Sequence, residues 1–108
     1  MEGLELTAFQ IISAVGTARS CYIEAVQKAK RSDYEAAEKL LVEGDAAFSE
    51  GHDAHAGLLQ QEAESGGSIV NLLLLHAEDQ LMSAEGFKTI AQEFIEVYQR
   101  LDKEGRTN

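Results

Sequence analysis

Apolar and small residues recur along the first part of the chain at Ala8, Ile11, Ile12, Val15, Ala18, Tyr22, Ala25 and Ala29. The intervals follow the turn of an α-helix, in which residues three and four apart share a face, and not the every-second-residue alternation of a strand. They predict a helix from about Leu4 to Lys30. Asp33 then stands where an N-cap belongs, its carboxylate able to accept the unpaired amide hydrogens that open a second helix, about Tyr34 to Glu64. The next break is Ser65-Gly66-Gly67-Ser68. Gly66 or Gly67 suits a left-handed helix end, and Ser68 suits the N-cap of a third helix from Ile69 to about Lys103. The chain contains no proline, so that common cause of helix kinks and stops is absent from all three segments. Short connections make sequential helices antiparallel neighbours. The expected fold is therefore all-α, a single domain over residues 1–108 built as an antiparallel three-helix up-down-up bundle.

Two irregularities refine the pattern. In the second helix Ala37, Gly44, Gly51 and Leu58 recur every seven residues, which puts two glycines in a helix interior, where each costs about 1 kcal/mol relative to alanine. Close approach of another helix offsets that cost, and the parallel line Leu40, Ala47 and Ala54 supports a narrow contact. In the third helix Leu73, Leu81, Ala84, Phe87, Ile90, Ala91, Phe94, Tyr98 and Leu101 cover more than one stripe. A lone three-helix bundle does not need so wide an apolar face. A chain of 108 residues also buries a smaller share of its surface than a larger domain, so self-association is expected to cover the surplus.

Composition changes this picture mainly through charge. Nine Lys and Arg stand against nineteen Asp and Glu, a formal charge of -10, and there is no basic cluster to neutralise a phosphate backbone. Nucleic acid is thereby disfavoured, and a basic protein surface is the better electrostatic match. The single cysteine, Cys21, has no intrachain disulfide partner and lies in register with Ala18 and Ala25, which points to a packed thiol. With no signal peptide and no long apolar span, a cytoplasmic location is expected.

Candidate chemistry sits in Leu72-Leu73-Leu74-Leu75-His76-Ala77-Glu78-Asp79-Gln80-Leu81-Met82. Helical spacing gathers His76, Asp79, Gln80 and Ser83 into one polar patch. Taken alone, a histidine in a leucine-rich helix is most often a packed core residue, and the spacing leaves both that reading and a reactive one open. His52 and His55 form an i, i+3 pair that can present two imidazoles to a metal, a weak zinc signal without further ligands. A solvent-facing pair or the rim of an active site is the plainer reading. Arg19 can meet an acidic group on another helix or on a partner.

Gly16-Thr17-Ala18-Arg19-Ser20, Glu24-Ala25, Ala29-Lys30, Gly51-His52, Leu58-Leu59-Gln60, Glu62-Ala63, and His76-Ala77 with Asp79, Leu81 and Met82 occur in that order. Together they resemble the lactose/cellobiose-specific enzyme IIA family of the bacterial sugar phosphotransferase system, from about residue 5 to residue 103. The resemblance implies a phosphoryl carrier. A histidine at the position of His76 takes a phosphoryl group from the phosphocarrier protein HPr and passes it to a cysteine of the IIB component, which phosphorylates a disaccharide or β-glucoside imported by the membrane IIC component. Imidazole suits that work, since near neutral pH one ring nitrogen attacks while the other donates a hydrogen bond. Gln80, one turn on, is the expected local donor to the phosphoryl oxygens. The resemblance further implies a homotrimer, a nine-helix bundle in which Asp79 points to the threefold axis. There the three copies bind one structural divalent metal, Mg2+ being the hard cation suited to carboxylates and waters.

Three positions depart from the family pattern, which commonly reads His-Ala-Gln-Asp-His-Leu-Met. Glu78 replaces a glutamine, Gln80 replaces a histidine, and on the second helix His55 stands where a glutamine is expected. If His55 and Gln80 face each other across a helix or subunit contact, the exchange conserves one imidazole and one amide in the site. Glu78 near phosphohistidine would repel phosphate, although a residue two along a helix normally points away. An alternative therefore stays open, a noncatalytic acidic helical-bundle adaptor that has lost phosphotransfer. A histidine-phosphotransfer bundle of two-component signalling is a poorer match, because its His-x-x-Lys-Gly pattern is missing and Asp79 follows His76 by three.

Overall fold

The computed structural model describes residues 3–66 and 71–105. It contains three helices, α1 (Gly3–Lys30), α2 (Tyr34–Ser65) and α3 (Leu72–Gly105), assembled into a rod of 63 × 19 × 19 Å. The C-terminal half of α1 packs on the N-terminal half of α2 and the C-terminal half of α3, which gives the expected up-down-up order. A second cluster joins the other half of α1 to the first turns of α3. α1 is the common element of both, and its inward face, Ala8, Ile11, Val15, Ala18, Tyr22, Ala25 and Ala29, is almost entirely removed from water.

That core is rich in alanine, which brings helices close. At Gly44 a β-carbon would lie 2.6 Å from Cε1 of the Tyr22 ring and 3.1 Å from Cβ of Cys21, and at Gly51 it would lie 2.6 Å from Cγ1 of Val15. The two glycines are thus notches into which α1 side chains fit, as the seven-residue seam predicts. Tyr22 is the largest fully buried side chain. Its hydroxyl donates to Oδ1 of Asp45 at 2.7 Å, and Lys88 Nζ reaches the same oxygen at 3.1 Å, so one carboxylate ties all three helices. Burial first, then the bond to Asp45, pushes the Tyr22 phenol far above its ordinary value and keeps it a donor.

The ends of the helices follow local chemistry. Asp33 Oδ1 accepts from the Ala36 amide at 3.2 Å, the expected N-cap of α2. Ser32 before it takes φ 64°, a left-handed conformation unfavourable for serine, and its hydroxyl donates to Asp102 near the end of α3 at 2.6 Å. Gly66, φ 73°, closes α2 with its amide bonded to the Glu62 carbonyl. The expected cap at Ser68 and start at Ile69 lie outside the described residues. α3 as described begins at Leu72, and Asn71 caps it, its Oδ1 accepting the Leu74 amide at 2.9 Å.

Candidate functional site

α3 is divided lengthwise by what its two neighbours cover. Ala77, Leu81, Ala84, Ala91 and Ile95 face inward and are buried. Because each residue turns about 100° around the axis, His76 is carried just off that buried face. It is exposed, belongs to neither core cluster and makes no hydrogen bond or ion pair with another described residue. The packed-core reading of this histidine is therefore overturned: its neighbour Ala77 fills the core, and the imidazole stands clear.

Gln80 and Ser83 continue the His76 side of the helix and are half-buried against α1. Arg19 of α1 reaches across, Nη1 donating to Gln80 Oε1 at 3.3 Å and to Ser83 Oγ at 3.4 Å. Its guanidinium carbon lies 5.7 Å from the centroid of the Phe87 ring, within cation–π range. Arg19 thus meets two neutral oxygens and a ring, not the acidic group expected for it within the chain.

Glu78 lies on the opposite shoulder of α3. Its Oε2 accepts from Nε2 of His55 on α2, a largely buried imidazole against a half-exposed carboxylate. The expected pairing of His55 with Gln80 is consequently not the contact within the chain. Residues 78 and 80 are about 200° apart around the helix, so α2 takes the first and α1 the second. Two departures from the family pattern, Glu78 and His55, fall on one contact, and Glu78 is turned away from the His76 shoulder. His52 does not join His55: its ring lies 6.2 Å from the Phe48 ring, and its Nδ1 is 3.9 Å from exposed Asp53.

The remaining face of α3 looks outward. Leu72, Leu75, Met82, Ile90, Phe94, Val97 and Leu101 are all exposed, Leu72 by 83% and Met82 by 68%. Asp79 lies in the same line, exposed and without a partner among the described residues. Leu75, Asp79, Met82 and Gly86 keep a four-three-four spacing, the seam of helices that wind together. That spacing was a readable sign of the contribution of Leu75 and Met82, which the apolar pattern read from the sequence left out. Within one chain no group of three His, Cys, Asp or Glu among the described residues is placed to hold a metal. Asp79 is a single hard oxygen donor on this exposed line. Cys21 offers little reactivity, since burial first, and then Glu43 and Glu24, push its thiol up.

Among the described residues no helix is long and apolar enough to cross a membrane. The family described as "PTS system, Lactose/Cellobiose specific IIA subunit" matches residues 6–99. The chain is 37% identical over 103 residues to the lichenan-specific phosphotransferase enzyme IIA component of Bacillus subtilis, spanning 95% of this chain and 94% of that protein. It is 33% identical over 94 residues to the oligo-beta-mannoside-specific EIIA component of the same organism, spanning 87% and 86% respectively. The crystal structure of the cellobiose-specific enzyme IIA from Bacillus anthracis superposes with a TM-score of 0.93 at 37% identity, covering 97% of this chain and 96% of that one. With a family match over most of its length and a fold in agreement, the chain belongs to the lactose/cellobiose-specific IIA subunits of the phosphotransferase system and is a phosphoryl-carrying component of sugar transport.

Proposed function

We propose that His76 is the phosphoryl acceptor, loaded by phospho-HPr and discharged to a cysteine of a IIB component. In the first step a ring nitrogen of His76 attacks phosphorus in line, the N–P bond forming as the bond to the donor breaks. In the second, the IIB thiolate attacks, the S–P bond forms, and His76 leaves. Such transfers depend chiefly on alignment and on neutralising the equatorial oxygens, and Gln80 on the same shoulder offers an amide donor for that purpose. The observation that carries the reading is the exposure of His76 without an intrachain partner, while Ala77 and Leu81 anchor the helix beneath it. The engagement of Glu78 with His55 supports it further, since it turns the nearest doubtful carboxylate aside. Relatives named for lichenan and oligo-beta-mannoside suggest a β-linked disaccharide or oligosaccharide as the transported sugar, imported through a membrane IIC component.

The working form is a homotrimer in which the outward faces of α3 meet. This reading rests on the exposed line from Leu72 to Leu101 and on Asp79 within it. Three carboxylates brought together repel one another and favour protonation. A shared Mg2+ held by Asp79 of each copy supplies the compensating charge, as a structural ion apart from the chemistry. Chelation is then expected to lower the melting temperature of wild type and to leave Asp79→Asn unmoved.

Intact mass after incubation with phosphoenolpyruvate, enzyme I and HPr tests the carrier reading. Wild type is expected to gain one acid-labile phosphoryl group, and His76→Ala none, at unchanged helicity. Absence of an adduct on wild type, with HPr loaded, would favour the noncatalytic adaptor.

A further inference from the structure

We infer that Arg19 is the positioning residue of the phosphoryl-transfer site: from α1 it fixes the Gln80 carboxamide so that the NH2 end faces the His76 shoulder. The inference rests on the reading of His76 as the phosphoryl acceptor and adds a group on another helix to it.

The argument begins with what each side chain is able to exchange. A guanidinium has five N–H donors and no acceptor, so only the oxygen of a carboxamide can face it. Arg19 Nη1 meets Gln80 Oε1 and also Ser83 Oγ, which lies nearly one further turn along α3. Of the two oxygens, one belongs to Gln80 and the other lies beyond it on the side away from His76, so Arg19 approaches from that direction. Turning Oε1 towards Arg19 directs the NH2 group to the opposite edge of the carboxamide, back along the shoulder where His76 precedes Gln80 by one turn. An amide left unpaired at that position samples both flips, and only one offers a donor to a phosphoryl oxygen.

Charge points the same way. Arg19 is half-buried, it lies over the Phe87 ring, and among the described residues no carboxylate pairs with it. In a chain of formal charge -10, an uncompensated cation is held next to the residue that follows the candidate nucleophile by one turn. With no carboxylate competing for it, the guanidinium is left to hold Gln80 Oε1, and the NH2 that it orients is the donor that meets the negative charge of a phosphoryl group. Phe87 limits the freedom of the guanidinium, which reduces the reorganisation needed when phosphate arrives.

The test is the time course of loading from phospho-HPr, read by intact mass, for wild type, Arg19→Gln, Arg19→Lys, Gln80→Ala and the Arg19→Gln, Gln80→Ala double variant. Helicity and assembly mass are measured on each. Arg19→Gln is expected to reach the same one-phosphoryl endpoint about 10- to 100-fold more slowly. The double variant is expected to be no slower than the slower single one, because both changes remove the same oriented donor. Arg19→Lys retains the charge on a flexible stem and is expected to recover part of the rate. It also carries the test if Arg19→Gln does not fold. Wild-type loading rates in both Arg19 variants, or penalties that multiply in the double variant, would overturn the inference while leaving His76 as acceptor. A wild type that never loads would instead overturn the carrier reading and this inference with it.

Discussion

Along the α1–α2 seam, Gly44 and Gly51 open notches for Tyr22 and Val15, whose side chains are lost from solvent within one chain. Along the outward face of α3, Leu72, Leu75, Met82 and Val97 are at least as apolar and remain in water. The first surface is finished by the fold of the monomer, and the second is not. The polar groups of the candidate chemistry stand in the second surface or on its shoulder. With the proposed roles of His76, Gln80 and Asp79, stability of the bundle and function of the protein rest on different sets of residues, and substitution is expected to separate them.

The largest effect is expected from filling a notch. Gly44→Leu puts a side chain where even a β-carbon would lie 2.6 Å from a buried ring, so a loss of more than about 3 kcal/mol, or failure to fold, should appear in thermal or urea melts. Wild-type melting in that variant would mean that α1 and α2 are free to separate, and the contrast with α3 would collapse. Next, Leu75→Glu with Met82→Glu should leave helical content intact while the assembly dissociates, seen in sedimentation or native mass. Each lost apolar burial is worth about 1.5 to 3 kcal/mol per copy. A trimer that persists in this variant would show that this face is not the one covered in the proposed assembly. The smallest effect belongs to the far shoulder. Glu78→Gln removes a charge from a half-exposed pair with His55, so stability should fall by no more than about 0.5 kcal/mol, less in high salt, with phosphoryl loading unchanged. A large fall in loading rate would place Glu78 in the transfer chemistry and undo the division of α3 into two shoulders.

The α2 seam and the polar patch at His76 differ in how legible they were. Gly44 and Gly51 announce themselves, because an interior glycine is unfavourable unless something fills the missing side chain, and seven-residue spacing says that it is another helix. His76 carries no comparable sign. An imidazole among leucines has the same spacing whether it faces a core or solvent, and the family motif, not the period, singled it out. The partners of the two departures were harder still. His55 and Gln80 looked like an exchange of an imidazole and an amide, yet within the chain helix geometry sends 78 and 80 to opposite neighbours, so there His55 meets Glu78 and Gln80 meets Arg19.

By itself the sequence determined three helices, the cap at Asp33, a narrow contact of α2 with another helix and the family, since each rests on local spacing or on motifs in linear order. The expected cap at Ser68 and start at Ile69 fall outside the described residues, within which Asn71 Oδ1 accepts the Leu74 amide at the start of α3. Which side of α3 meets α1, which meets α2 and which meets neither was decided by tertiary structure. A helix wheel gives the angle between two residues, but the direction of its neighbours comes from packing, and it is that direction that exposes His76, ties Arg19 to Gln80 and leaves Asp79 in line with uncovered leucines.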